Sequence, residues 1–253
     1  MSDPVIRSWK TYADKLQRNG PSGGASTARN GRSLVKIQET WDDDTADTTN
    51  VWGTAVGGTG AVSVNHADTN GVPYFLLNMP AGSDTARLIN GDGGTNFFNP
   101  LSVAVATLLT NYRYRRLIVE FMLKFGTLAN QDNAVFMAGF LTTGASGTNR
   151  VSTNALGIGL SADALVLFSD KAGTEVEVTP SGTAPTLTDW NTYRITLSGV
   201  SMAVDINHGL YTGSILTTAN HPVAPLLFTV ADGAEAGGET SLRVGPVTLW
   251  LEE

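Results

Sequence analysis

The sequence predicts an all-β protein: an antiparallel β-sandwich or jelly roll with a short N-terminal helical arm. Three observations carry that expectation. Tyr193–Leu197 and Met202–Ile206 are alternating runs joined by the Gly-containing turn Ser198–Ser201, the signature of a β-hairpin. The second run ends in Asn207-His208-Gly209, residue types that tolerate positive φ and suit another tight turn. And 28 glycines with only 15% charged residues, over 253 positions, fit many tight turns and few long solvated helices.

Residues 1–33 read as the arm. Asp3 caps a helix over about residues 4–18, and Pro4 takes its first position, where a missing N–H costs nothing. Val5, Trp9, Tyr12 and Leu16 recur at helical spacing as one apolar stripe, and Asn19-Gly20 supplies a left-handed stop. Residues 21–33 are Gly/Ser-rich and read as a flexible linker. The stripe has to be buried, either on its own domain or on another chain.

Residues 34–253 read as the sandwich domain. Strands are expected at Leu34–Gln38, Ala61–Asn65, Tyr74–Asn78, Ala86–Ile89, Leu117–Phe125, Ala134–Thr142 and Ala155–Leu160. Further along they fall at Ala164–Ser169, Glu175–Thr179, Tyr193–Leu197, Met202–Ile206, Leu226–Val230 and Leu242–Leu251. Gly, Asn, Asp, Pro and Thr fill the gaps between them. In Leu117–Phe125 the odd positions (Leu117, Val119, Phe121, Leu123, Phe125) face one way, and Glu120 and Lys124 face the other with Ile118 and Met122. Gly245-Pro246 interrupts the last strand and marks a bulge or an edge. Residues 100–111 fit either a short helix or a strand. Short strands at regular spacing favour a sandwich over a parallel α/β sheet.

Charge is distributed unevenly. Residues 1–40 hold seven basic and three acidic residues, net +4, whereas the remaining nine basic and twenty acidic residues give −11. A basic arm ahead of an acidic body points to contact with something acidic, such as a neighbouring subunit; a solvated tail is the plainer alternative. Without cysteine there are neither disulfides nor thiolate metal sites. No apolar run approaches membrane-spanning length, and the N-terminus has no signal-peptide core, so neither a membrane nor an export route is expected.

Few motifs carry chemistry. His66, His208 and His221 form no H-x-H or H-x-x-x-H pair, so no local zinc site arises. There is no G-x-S-x-G elbow, and the Gly-rich pieces at 57–60 and 91–94 do not lead into a phosphate-binding helix. The candidate metal site is Asp42, Asp44 and Asp47, carboxylates in one loop that suit Ca²⁺, although the loop lacks the glycine and distal Glu of an EF-hand. A solvated acidic loop is the plainer reading, and a loop that meets a neighbour's basic arm is another. Arg113-Tyr114-Arg115-Arg116 is too short for nucleic-acid binding, which needs a broad basic face.

Taken in order, Arg116–Phe125, Ala134–Leu141, Asn154–Leu160, Leu165–Phe168, the hairpin Trp190–Gly209 and the closing strand Ser241–Glu252 resemble the concanavalin A-like lectin/glucanase jelly roll, with its laminin-G-type and virion-protein relatives. The resemblance covers roughly residues 60–253 and bears on fold more than on function. Catalytic members carry alternating acidic residues on one strand, two of them acting as nucleophile and general acid. No E-x-D-x-x-E string occurs here. The nearest match is Glu175-Val176-Glu177, with no neighbouring aromatics, and an exposed strand face explains it. The resemblance therefore implies no enzyme and no cofactor.

A cysteine-free, Gly/Thr/Ala-rich jelly roll with a tethered arm also resembles bacteriophage capsid decoration, head-fibre and tail-associated proteins. That likeness implies a structural virion subunit, made in the host cytoplasm, homo-oligomeric and attached to other virion subunits. Val5, Trp9, Tyr12 and Leu16 would anchor the arm, and Arg7, Lys10, Lys15 and Arg18 would guide it. The alternative is a carbohydrate-binding or receptor-binding lectin-like module. In that reading Trp41, Trp52, Trp190 and Trp250 are candidates for a sugar platform, though Trp190 also fits a core anchor at a strand edge.

Overall fold

Alternation of apolar and polar residues over short runs, punctuated by turn formers, gives extended chain with one face to bury. The computed structural model describes residues 34–39, 41, 52–57, 61–65, 71–79, 85–90, 116–126, 135–141, 154–161, 164–171, 174–198, 201–216, 226–231 and 240–252. Those residues form strands β1 (Leu34–Glu39), β2 (Trp52–Gly57), β3 (Ala61–Asn65), β4 (Tyr74–Met79), β5 (Thr85–Asn90), β6 (Arg116–Phe125), β7 (Val135–Leu141) and β8 (Asn154–Ser161). They continue with β9 (Ala164–Lys171), β10 (Thr174–Val178), β11 (Ser181–Gly182), β12 (Asn191–Ser198), β13 (Ser201–Ile206), β14 (Tyr211–Leu216), β15 (Leu226–Ala231) and β16 (Thr240–Glu252).

Every pairing is antiparallel, in two sheets. One runs β11-β14-β13-β12-β6-β16-β4-β3, with β1 also paired to β16; the other runs β10-β9-β8-β7-β15-β5-β2. The chain leaves the first sheet after β6, builds β7 to β10 in the second, and returns through β11 to β14. The last strand, β16, then inserts between β6 and β4. Alternate residues of the first sheet face the second and are buried: Leu117, Val119, Phe121 and Leu123 of β6, Tyr193, Ile195 and Leu197 of β12, and Leu242 and Val244 of β16 are all 0% exposed. Leu156, Ile158 and Leu167 face them from the second sheet. Each large apolar side chain removed from water in this way stabilises the sandwich by about 1.5–3 kcal/mol.

The fold class, all-β and antiparallel, stands as the sequence predicts it. Each predicted strand lies within two residues of an observed one at either end. The hairpin closes at Ser198↔Ser201, and Asn207, His208 and Gly209 take φ of 52°, 57° and 91°. A register shift between Val244 and Val247 is the bulge expected at Gly245-Pro246. Three strands were not foreseen. β11 is only two residues, β2 carries glycine at two of six positions, and the Thr-Gly-Ser of β14 lacks an apolar period. The helical arm, residues 100–111, the Asp42/Asp44/Asp47 loop, His66 and His221 lie outside the described residues.

Candidate ligand-binding face

The side of the nine-stranded sheet turned away from the core carries the outward half of each alternation. Its two ends differ. At the β12–β14 end, small polar side chains surround a trough of about 560 Å³. Thr196 comes from β12, Asp205 from β13, and Thr212 and Ser214 from β14. Thr179 and Ser181 come from the segment that crosses between the sheets. That segment is held close: a Cβ on Gly182 would run into the Leu210 carbonyl oxygen, and Thr183 N–H donates to the same oxygen at 2.8 Å.

Beside the trough the charges match one another. Arg194 and Glu120 are direct cross-strand partners, joined from Nη2 at 2.9 Å and from Nε at 3.1 Å to one carboxylate oxygen. Asp205 lies opposite Arg194 on the other side and accepts a hydrogen bond from Gly209 N–H at 2.5 Å, closing the β13–β14 turn. Hydroxyls that both donate and accept, next to a fixed carboxylate acceptor, are the groups that recognise a polyhydroxylated ligand.

At the β4–β16 end the face is aromatic and cationic. Arg243 stands directly opposite Lys124, and its guanidinium lies 5.2 Å from the centre of the Tyr74 ring. Tyr74 and Trp190 have ring centres 6.0 Å apart, tilted by 57°. Gly245 makes room for this: a Cβ there would meet Met122 Cβ at 2.9 Å and Trp190 Cζ3 at 3.2 Å. The bulge carbonyl of Gly245 accepts from the indole N–H of Trp41 at 2.7 Å. That bond and packing on Phe75, 5.4 Å between ring centres, hold Trp41 at φ 56°, an uncommon backbone for so large a residue.

The loop that presents Trp190 is fixed by two asparagines. Asn191, 3% exposed, donates from Nδ2 to the carbonyls of Thr186 and Asp189 at 2.8 and 2.9 Å, and its Oδ1 accepts from Asn207 Nδ2 at 2.7 Å. Asn207 Oδ1 in turn accepts from Thr192 N–H at 3.0 Å. The Asn-His-Gly turn thus braces the neighbouring loop as well as reversing the chain. In the core behind it, Tyr193 stacks on Phe121 at 5.7 Å, and among the described residues its hydroxyl finds no hydrogen-bond partner. Burial pushes that phenol well above the usual tyrosine range.

Two expectations about tryptophan are corrected. Trp41 is 2% exposed and so cannot serve as a sugar platform. Trp190 is half-buried on the outward face, over Gly245 and Tyr74, rather than anchored in the inter-sheet core. Trp52 lies in β2 and Trp250 in β16. Glu175 and Glu177 share a face of β10, and Glu175 gains a cross-strand neighbour that spacing alone could not reveal, Asp170 of β9, 4% exposed. His208 is an exposed turn residue. Val5, Arg7, Trp9, Lys10, Tyr12, Lys15, Leu16 and Arg18 lie outside the described residues. Among the described residues no three His, Asp or Glu side chains gather as metal ligands.

The trough residues and Arg243 escaped sequence reasoning. Each is an ordinary outward position of an alternating strand, and only the strand order brings them together.

No protein-family model and no curated protein matches this chain. Solved structures do. A protein of unknown function from Shewanella oneidensis MR-1, SO2946, is similar over 99% of this chain and 97% of its own, at TM-score 0.57 and 12% identity. A glycoside hydrolase family 16 endo-glucanase from Bacteroides ovatus matches 84% of this chain and 99% of its own, at TM-score 0.55 and 11% identity. Botulinum neurotoxin type C, which depends on two ganglioside molecules to enter cells, matches 85% of this chain at TM-score 0.52 and 10% identity. The chain spans 47% of that toxin chain. At such identities the likeness establishes the fold, a jelly-roll sandwich, and nothing finer.

Proposed function

We propose that this chain is a non-catalytic, lectin-like module that binds carbohydrate on the outward face of its nine-stranded sheet. The observation that carries the reading is the trough of about 560 Å³, lined by five hydroxyls and one carboxylate. Its size falls within the range of small-ligand sites. Its chemistry suits a saccharide. Hydrolysis needs two carboxyl groups flanking the scissile bond. In the trough Asp205 is the sole carboxylate, and one of its oxygens is already engaged by Gly209. The same fold serves a ganglioside-dependent toxin and a glucanase, which supports a glycan ligand without choosing the outcome.

The test is a glycan array followed by titration of each hit, with Thr212→Val and Asp205→Asn as variants. Saturable binding that both variants weaken, with the saccharide recovered intact, is the expected result. Binding to no saccharide sinks the reading, and release of shortened chains replaces it with a hydrolase.

A second reading rests on the charge split between residues 1–40 and the rest. In it the chain is a structural virion subunit, homo-oligomeric and attached through Val5, Trp9, Tyr12 and Leu16 with Arg7, Lys10, Lys15 and Arg18. Light scattering would compare the full chain with a full-length variant carrying Glu at those four basic positions. A defined oligomer lost in the variant supports this reading, and identical masses at low and high salt remove it.

A further inference from the structure

We propose that the β4–β16 end of the outward face is a second subsite, one that takes the carboxylate of an acidic pyranose. The inference rests on the glycan-binding reading above but uses none of the trough residues. It starts from a charge that the described residues leave unmatched. Arg243 is half-buried; its Nε is enclosed without a hydrogen-bond partner, and among the described residues no carboxylate pairs with it. Its direct neighbour across the strands is another cation, Lys124. Like charges at directly opposite positions destabilise a sheet, and a guanidinium N–H enclosed without a hydrogen-bonded partner does so further.

What holds Arg243 in place is the Tyr74 ring, 5.2 Å away. A guanidinium held over an aromatic face keeps its two terminal nitrogens for a ligand, a pair that grips a carboxylate through two parallel hydrogen bonds. Next to it stands Trp190, 6.0 Å from Tyr74, on a loop fixed by Asn191 and Asn207. An indole presents an apolar surface to a sugar ring. Glu120, on the same face, is committed to Arg194, and Asp189 lies beside Trp190 on the exposed loop. A guanidinium without a described carboxylate partner and a tryptophan at one end, against hydroxyls and an occupied ion pair at the other, select for an acidic sugar here. The two sources of such a group are a uronic acid and a sialic acid.

The experiment uses the full-length protein with four probes: trigalacturonate and its methyl ester, and sialyllactose and lactose. Binding is followed by calorimetry and by tryptophan fluorescence. An acid form should bind about tenfold or more tightly than its uncharged counterpart, the scale of one or two charge-assisted hydrogen bonds. The gain should shrink with added salt. Which acid wins identifies the source. Arg243→Gln should abolish the preference, and Thr212→Val should leave it intact. Arg243→Lys, which keeps charge but not the planar fork, serves if Arg243→Gln fails to fold, and should lose most of the gain. Equal binding of acid and neutral forms, or a preference that survives Arg243→Gln, overturns the subsite while leaving the trough reading in place. If no saccharide binds anywhere, both fall together.

Discussion

Two arginines sit on the same face of the same sheet and meet opposite fates. Arg194 faces Glu120 across one strand boundary and Asp205 across the other, and its charge is answered within the protein. Arg243 faces Lys124 and leans on Tyr74, and no described carboxylate answers it. Both are outward residues of central strands, so strand position does not explain the difference. One end of the face is electrostatically closed, and at the other the Arg243 guanidinium is left for an incoming anion.

Collapsing the Arg243 end should have the largest effect. Gly245→Ala places a methyl group 2.9 Å from Met122 Cβ and 3.2 Å from Trp190. Met122 belongs to a central strand and cannot retreat, so Trp190 must leave Tyr74 or the bulge must shift. The expected cost is about 2–3 kcal/mol of stability by denaturant unfolding. Trp190 emission should move to the red as the ring is exposed, and an unchanged spectrum would mean that the bulge yields instead. Second comes Asn191→Ala, which strands the Asn207 amide and two carbonyls inside the loop brace. About 2 kcal/mol is expected from those unmade bonds. A loss below a few tenths would show that the loop is held by other contacts.

A change in the opposite direction lies in the core behind the face. Tyr193→Phe deletes a buried hydroxyl that has no partner and keeps the ring on Phe121, so stability at neutral pH should rise by about 1 kcal/mol. The pH dependence follows from the raised phenol pKa. The folded protein holds the Tyr193 proton more tightly than the unfolded chain does, so this contribution is fully present below the unfolded tyrosine value of about 10 and is lost as pH rises from there toward the folded value. The advantage of Tyr193→Phe should therefore widen between pH 8 and pH 11 in paired unfolding curves, and a constant gap would mean that the hydroxyl reaches water.

Much of this architecture was legible, and the reason is local. The hairpin from Trp190 to Gly209 combines clean alternation with Asn-His-Gly turn chemistry, so its strands, its turn and even the positive φ values could be read from adjacent residues. The outward face was not legible in the same way. Thr196, Asp205, Thr212 and Thr179 meet because β12, β13, β14 and the β10–β11 crossing are neighbours, and that order is a long-range property. Trp190 shows the boundary between the two cases. The sequence marks it as an aromatic at a strand edge, yet which side of the sheet it covers is decided by a glycine 55 positions away.

Two weaker substitutions separate the ends of the face by the opposite salt dependence of their penalties. Glu120→Gln unmasks Arg194, and an ion pair whose partners are 47% and 28% exposed contributes only about 0.3–0.5 kcal/mol at low salt. Screening weakens that pair, so the penalty for Glu120→Gln should shrink as salt is raised. Arg243→Gln behaves in the reverse way. It loses the stacking on Tyr74 at every salt concentration, but at low salt it also relieves the repulsion from Lys124, which hides part of the loss. Added salt screens that repulsion in the parent protein and takes the relief away, so the penalty for Arg243→Gln should grow. Opposite salt slopes in two outward substitutions on one sheet would establish that its ends differ electrostatically; parallel slopes would mean that Arg243 has found an anion of its own and that the two ends are alike.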